Sequence, residues 1–598
     1  MGCLTTDSSR LSFRMLTFTI VSSPCPSPLT YHGDNWGSAL LPASVRGRNG
    51  VGSYKAVVPC CSRVHLHWHL NLYITQAAKM SYFGLTGQAL SVLQIALIVC
   101  PAFILFGYNQ AGLGGLLTTQ DWTKTFPEID TVHTTGSEKK QKSTLQGFVV
   151  ATFTIGALCG ALSCSWTGDK FGRRNVIFAA GICTLIGEAL ECSAHSLAQL
   201  IVGRIIVGLG IGQLSSIVPV WQSETSGAKN RGRHVVLDGL FICVGYVLES
   251  WINLGFWEFK SGPITWRPSI AIGIAFSLVL LFSIYFLPES PRWLVLKNRN
   301  QAAREVVAAL RGFPVDSMEV HAEVTGIEHS LEETSKGGVK MSDMLKMGED
   351  KLLYRFGLCM MLQFYQQMSG SNLISVYATI LFQENLGMGT EMARVLTAGA
   401  LTWKFLSSFL GFVCIDRFGR RAVFIISGVG MSSCMVALAI STSFPKENKA
   451  AQIAAGCFIY LYNTFVPIGF LGANFLYATE IAPIKLRMAM SSLSTANHWL
   501  WNFVVVMVTP VAIRSIGYQY YIVYAVIAAC IPVSVYFLFP ETMGRNLEEI
   551  DMMFRESPSV LGTVRFARNR PIAMPQEFDH EKPGDETDYV ETREEVRL

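Results

Sequence analysis

The chain has 598 residues, 50% of them hydrophobic and only 15% charged, where an ordinary soluble domain carries roughly 25% charge. Its 48 Lys and Arg against 43 Asp and Glu leave a net charge of +5, and no basic aromatic cluster stands out. The composition therefore excludes a soluble enzyme and a nucleic-acid surface, and it implies no acidic partner.

The apolar residues gather in runs of about 20, the length of helix that crosses a bilayer. In chain order, apolar runs and flanking charge predict twelve spans: 85–108, 145–167, 175–194, 198–222, 234–256, 268–287, 353–383, 391–415, 422–442, 451–479, 488–513 and 517–539. Only the short polar stretch around His195 and Ser196 divides the third from the fourth. The long seventh and tenth runs are expected to include broken or interfacial helix.

Before the first span, residues 1–79 show no sustained period and no secretory layout of basic, apolar and cleavage regions. Met80, opening MSYFGLTGQ, is expected to be the functional start, the preceding segment being disordered or untranslated. Between the halves 80–287 and 352–540, the polar segment 288–351 is expected to form short cytoplasmic helices. Residues 541–598 read as a cytoplasmic tail with an acidic, solvated end.

Lysine and arginine accumulate on the cytoplasmic side of membrane proteins. Here they follow the even spans: Lys170, Arg173 and Arg174; Lys229, Arg231 and Arg233; Arg417, Arg420 and Arg421; Lys485 and Arg487. The short odd-side loops at 195–197 and 386–390 carry none, which places both termini in the cytoplasm. The loop 118–143 mixes Lys124, Lys139, Lys140 and Lys142 with acids and supports this orientation least.

The two halves repeat one another. GDKFGRR at 168–174 recurs as IDRFGRR at 415–421, so that Asp169 and Asp416 stand 416 − 169 = 247 residues apart. ETSGAKNR from Glu224 matches EIAPIKLR from Glu480, and PESPRWL from Pro288 matches PETMGRN from Pro540. Duplicated six-span units around a central loop are the plan of an alternating-access carrier, with its site near mid-membrane where the halves meet. No Gly-Lys dipeptide is present, so the phosphate-binding lysine loop is absent.

Over roughly residues 81–555 these motifs, with GRIIVGLGIG at 203–212, QFYQQMSGSN at 363–372 and PETMGRNLEEID at 540–551, resemble in order those of the sugar porter family of the major facilitator superfamily. NFLYATEIAPIKLR and WNFVVVMVTPVA look most like the fungal sugar and polyol porters. The resemblance implies an all-α membrane protein of twelve transmembrane helices in two pseudo-symmetric six-helix halves, the major facilitator fold. It implies transport of a hexose, pentose or polyol by alternating access, without a cofactor or a metal, by a monomer in the plasma membrane.

A sugar needs neutral hydrogen-bond partners beside an aromatic plate. Gln366, Gln367 and Asn372 of span seven supply amides able to face one cavity, and by resemblance they bind the sugar. Trp499 and Asn502 match aromatic and polar family positions in span eleven, with Asn497 and His498 adjacent, and Asn109 of span one joins the set. Phe475 stands where the family usually has tryptophan, and Gly239 where glutamine is frequent. At the cytoplasmic ends, Arg173, Arg174, Arg420 and Arg421 lie within reach of Glu224 and Glu480. In the family such residues clamp the halves, and Asp169, Arg231, Asp416 and Arg487 complete the expected gate.

Proton-coupled relatives commonly carry aspartate where this chain has Asn109, and an amide cannot titrate. Asp238 and Glu249 in span five, and Glu188 and Glu191 in span three, remain as carriers, with Arg204 placed to tune them. Lys404 lies about 18 Å from its cytoplasmic helix end, near mid-membrane. It is expected either to face the cavity, attracting an acidic substrate such as a uronate or quinate or pairing with Asp238, or to snorkel to the interface. The alternatives to facilitated sugar transport are proton symport, including that of an acidic sugar, and a non-transporting sugar sensor.

Overall fold

The computed structural model describes residues 81–227, 231–259, 262–336, 341–445, 447–483, 486–545 and 547–569. Residues 1–80, with the expected start at Met80, and the acidic end of the tail lie outside them.

Eleven helices among the described residues are long and apolar enough to cross a membrane. Spans one to six are Gly87–Ala111, Gly136–Phe171, Arg173–Cys192, Leu197–Thr225, Arg231–Trp257 and Arg267–Phe286. Spans eight to twelve are Thr390–Phe418, Arg420–Ser443, Lys449–Ile481, Arg487–Ser515 and Gln519–Leu538. The expected span seven is broken into short helices. Leu352–Met368 ends at Gly370, whose φ of +94° is open to glycine but disfavoured for other residues, and the chain resumes as Ser371–Val376 and Ala378–Ile380. Span ten is also interrupted, between Gly469 and Ala473, just after Pro467 removes a backbone donor.

Other boundaries moved for electrostatic reasons. Span two begins at Gly136, well before the apolar run at 145, because the polar turns carrying Lys139, Lys140 and Lys142 continue the helix beyond the membrane. A Glu138–Lys142 pair at 3.0 Å, one helical turn apart, supports that extension. The weak orientation signal of loop 118–143 thus comes partly from a helix end. The segment after span six forms Pro291–Leu296, Asn300–Arg311 and Met318–Lys336, and the chain after span twelve forms Leu547–Glu556 and Val560–Asn569.

Glycines set how closely the spans cross, since lipid supplies no hydrophobic drive for helix pairing and close backbone packing takes over. In GRIIVGLGIG, a Cβ on Gly208 would lie 2.1 Å from the Phe153 carbonyl oxygen, and one on Gly212 2.0 Å from that of Ala157. Reciprocally, Gly156 and Gly160 of span two face the Ile205 and Leu209 carbonyls at 2.2 and 2.1 Å. Spans one and five cross the same way at Gly107 and Gly245.

The repeated Arg-Arg motifs open spans three and nine. Gly172 and Gly419 have φ of +91° and +84°. The Glu289 carboxylate then accepts the backbone N–H groups of Arg173 and Arg174, both at 3.1 Å. Glu541 does the same for Arg420 and Arg421, both at 3.0 Å. A carboxylate on the free N–H groups of a helix N-terminus is favourable in both hydrogen bonding and dipole. Burial raises the pKa of Glu289 above the ordinary carboxylate range, while the Ser290 and Arg174 N–H groups pull it down.

Candidate substrate site between the two halves

The breaks in spans seven and ten bring one polar cluster together in the middle of the second half. Gln366 Oε1 accepts from Asn474 Nδ2 at 2.6 Å and from His498 Nδ1 at 2.7 Å. Gln367 Nε2 lies 3.0 Å from His498 Nε2, and Gln367 Oε1 accepts from Asn372 at 2.5 Å. Gln367 Nε2 also lies 3.1 Å from Nδ1; the two oxygens at Nδ1, from Gln366 and Gln363, assign the proton to Nδ1 and leave Nε2 to accept from Gln367. The imidazole is therefore held neutral, and a second proton would face the Gln367 amino group. Gln363 Oε1 completes the cluster at 3.1 Å from Asn474 Nδ2 and 3.2 Å from His498 Nδ1. Gln363 Nε2 and Asn474 Oδ1 are buried and meet no partner, a donor and an acceptor suited to hydroxyl groups.

Sequence reasoning placed Gln366, Gln367 and Asn372 here but did not single out Gln363 or Asn474. The Q-x-x-Q-Q spacing, three and four residues apart on one helix face, is the signal that finds Gln363. Asn474 needs the kink of span ten to turn inward, which no local pattern announces. Asn497 points away and donates to the Met360 carbonyl at 2.8 Å.

The aromatic wall of the cluster belongs to both halves. Trp499 is fully buried, with its ring 4.9 Å from Phe106 and 5.1 Å from His498, and its Nε1 donates to Ser215 of span four at 3.1 Å. Phe475 packs 5.7 Å from His498, so a smaller aromatic ring borders the same imidazole. Gln110 and Asn502 form a reciprocal amide pair across the halves, at 3.2 and 3.1 Å. Asn109, one residue earlier, turns away from the cluster and donates to Glu188 Oε1 at 3.1 Å. Gly239 leaves no room for the frequent glutamine, since a Cβ there would lie 2.8 Å from the backbone of Leu471 and Gly472 at the break in span ten.

The internal charges are arranged differently from expectation. Lys404 is 1% exposed, so it does not snorkel. Its Nζ donates to Ser375 at 2.7 Å and lies 4.7 Å from the Tyr246 ring. Its expected pairing with Asp238 is corrected: no ion pair joins them among the described residues. Asp238 is fully buried with neither carboxylate oxygen hydrogen-bonded, the Gln222 amide being its polar neighbour. It lies two turns into span five, too near the arginine-rich end of the bundle to meet a mid-span lysine. Arg204 lies 3.9 Å from Glu191 and over the Phe153 ring. Glu249 accepts from Asn253 and borders a cavity with Arg394, a cation of span eight that the sequence analysis did not single out.

At the arginine-rich end, Arg173 grips Glu224 with two hydrogen bonds, at 2.9 and 3.1 Å, and Asp169 with a third at 3.1 Å. Arg420 holds Glu480 at 3.0 Å. Both pairs lie within one half rather than between halves. Arg174 and Arg421 do not reach these acids as expected; their guanidinium groups donate to the Tyr285 and Tyr536 carbonyls, because Glu289 and Glu541 hold their backbones at the helix starts. Arg487 is buried, donates to the Thr479 and Ala482 carbonyls, and acts electrostatically on Glu224 in the other half. The side chains of Arg231 and Asp416 lie outside the described residues.

The halves touch on both sides of the cluster. Gly168 meets Met488 near the arginine-rich end, and Gly147 meets Met507 and Pro510 near the opposite one. There Arg394 also donates to Thr118 at 2.5 Å and covers the Trp257 ring at 5.2 Å. A polar cavity on the seam, lined by Glu249 and Arg394 among others, holds about 20 Å³, and one within the first half, beside Glu191 and Arg204, about 10 Å³, room for about one water each.

The chain is similar to known proteins over most of its length. It is 33% identical over 512 residues to the MFS-type transporter oryC of Aspergillus oryzae, covering 84% of this chain and 93% of that protein. It is 31% identical over 487 residues to the sugar transporter STL1 of Saccharomyces cerevisiae, covering 80% and 84%. Among solved structures, the xylose transporter XylE from E. coli, described as a proton:xylose symporter, superposes with a TM-score of 0.67 at 23% identity over 77% of this chain and 99% of that one, a likeness that establishes the major facilitator fold. The family model described as sugar (and other) transporter matches residues 95–554, and the chain belongs to that family.

Proposed function

We propose that the protein carries a neutral sugar or polyol through the plasma membrane by alternating access, its two halves rocking about the Gln366–His498–Asn474 cluster. The observation that carries this reading is the cluster's chemistry. Uncharged amides and one neutral imidazole sit deep between two broken spans, with Trp499 as an aromatic wall and an unmatched donor and acceptor on Gln363 and Asn474. Such groups match hydroxyls without attracting ions. The arginine-rich end faces the cytoplasm, as the loop charges suggest, and the protein works as a monomer with no cofactor.

The test is uptake of radiolabelled glucose, xylose, glycerol and galacturonate in a transport-deficient yeast. Saturable uptake of at least one neutral member is expected. No uptake by a correctly localised protein would overturn the reading and favour a sensor. The buried ammonium of Lys404 favours an acidic sugar as a second reading. On the neutral reading, Lys404→Met lowers uptake of every accepted member alike, by roughly tenfold, because a buried charged hydrogen bond between spans eight and seven is lost. Loss confined to galacturonate would move the substrate class to acidic sugars.

A further inference from the structure

Span three carries two glutamates one turn apart, Glu188 and Glu191, buried inside the first half. Glu188 sits in a shaped cradle. Asn109 of span one donates to Oε1 at 3.1 Å, and Ser277 of span six lies 3.0 Å from Oε2. Gly273 makes the room, since a Cβ there would lie 2.3 Å from Oε1.

The cradle suits both protonation states. Ser277 has one hydroxyl proton and two acceptors in reach, Glu188 Oε2 and Thr184 Oγ1 at 2.9 Å. With Glu188 ionised, Ser277 donates to it. With Glu188 protonated, the acid donates to Ser277 and Ser277 donates to Thr184. No heavy atom has to move.

The surrounding charges leave a proton to be accommodated. Arg204 of span four lies beside Glu191, whose Oε1 has no partner. Glu249 of span five borders one cavity with Glu191 and Arg204, and a second with Arg394 of span eight. Span one contributes Tyr108, hydrogen-bonded to the Ser269 carbonyl, and span six contributes Arg267 beyond its serines, engaged with the Cys192 and Ala194 carbonyls next to His195. Three internal carboxyl groups thus share two internal guanidinium groups, which do not deprotonate. Among the described residues Glu188 is hydrogen-bonded only to neutral groups, Asn109 and Ser277, with the like charge of Glu191 one turn away, and a lone carboxylate in a membrane interior is costly.

The same turn of span one reaches the seam. Asn109 holds Glu188 while Gln110, the next residue, pairs with Asn502 of the opposite half. We propose that Glu188 is a proton-binding site whose occupancy is coupled to the rocking of the halves, so that one proton taken up by the carboxylate on one side is released on the other with each sugar carried. The proposal rests on the sugar-carrier reading above.

The test uses the full-length protein in proteoliposomes with an internal pH dye and the accepted sugar from the panel. The wild type should concentrate sugar under an inward proton gradient, with internal acidification abolished by a protonophore. Glu188→Gln keeps the shape of the cradle and should lose accumulation at least tenfold and all gradient dependence, while sugar counterflow stays measurable. If that variant gives no counterflow, Ser277→Ala decides. The variant removes a hydrogen bond from both forms, but the one to the ionised carboxylate is the stronger, so the protonated form gains on balance and the pH profile of uptake should move to higher pH by roughly half a unit to one unit. Wild-type uptake that only equilibrates, accumulation that survives Glu188→Gln, or an unmoved profile in Ser277→Ala overturns the proposal. Absence of any wild-type counterflow instead overturns the sugar-carrier reading beneath it.

Discussion

Replacing Gln366 by alanine is expected to lower sugar uptake about 100-fold while leaving the protein in the membrane. Its Oε1 is the shared acceptor for Asn474 and His498, at 2.6 and 2.7 Å. Its loss leaves those two buried donors only the longer contacts to Gln363 Oε1, at 3.1 and 3.2 Å; losing the shorter bond of each at about 1.4 kcal/mol gives about 2.8 kcal/mol, which corresponds to about 100-fold. Gln363 Oε1 is then drawn into holding both the imidazole and Asn474, and the cluster loses the geometry that presents Gln363 and Asn474. Asn497→Ala, which removes an amide facing only the Met360 carbonyl, is the matched control and should reduce uptake less than threefold. Uptake rates normalised to surface protein decide it; equal losses in the two variants would remove the cluster from the transport path.

Replacing Gly208 by leucine is expected to abolish recovery of folded protein. The Cβ alone would lie 2.1 Å from the Phe153 carbonyl oxygen, so spans two and four must separate, breaking the reciprocal contacts of Gly156, Gly160 and Gly212. Overpacking of this kind costs about 3 kcal/mol or more. Gly255→Leu is the control, because nothing lies within 4 Å of a Cβ at Gly255. Thermal unfolding of detergent-purified protein, read by tryptophan fluorescence, should show the control near the wild type and Gly208→Leu without a cooperative transition.

Apolar runs and their flanking charges located the spans, because apolar stretches of about twenty residues have few other uses. Length also marked the seventh and tenth runs as interrupted, and Gly370 and Pro467 are the local causes. The repeat foretold matched halves; the equal roles of Glu289 and Glu541 follow from the PES and PET motifs, although their work as helix caps needed coordinates. What stayed hidden depends on contacts between distant segments. His498, Asn474 and Gln363 converge from three spans, and Asn109 turns toward Glu188 rather than toward the amides beside which its motif placed it. Lys404 was legible as an unusual mid-span charge, but its choice of Ser375 and Tyr246 over Asp238 is set by how spans seven, eight and five pack. The glycines of span four were legible as a motif and illegible as a crossing until their partners in span two were placed.

The measurement that tests the account most directly is a pair of spin-label distances in the purified protein, with and without the accepted sugar. Labels at Lys170 and Arg417 report the arginine-rich ends of the two halves, and labels at Gln141 and Gln519 report the opposite ends; all four positions are exposed. Rocking about the central cluster predicts reciprocal, sugar-dependent changes, one distance lengthening as the other shortens. Gln366→Ala should remove the response to sugar without changing the distances in its absence. Distances that ignore a transported sugar at both ends, or that lengthen together, would contradict the account.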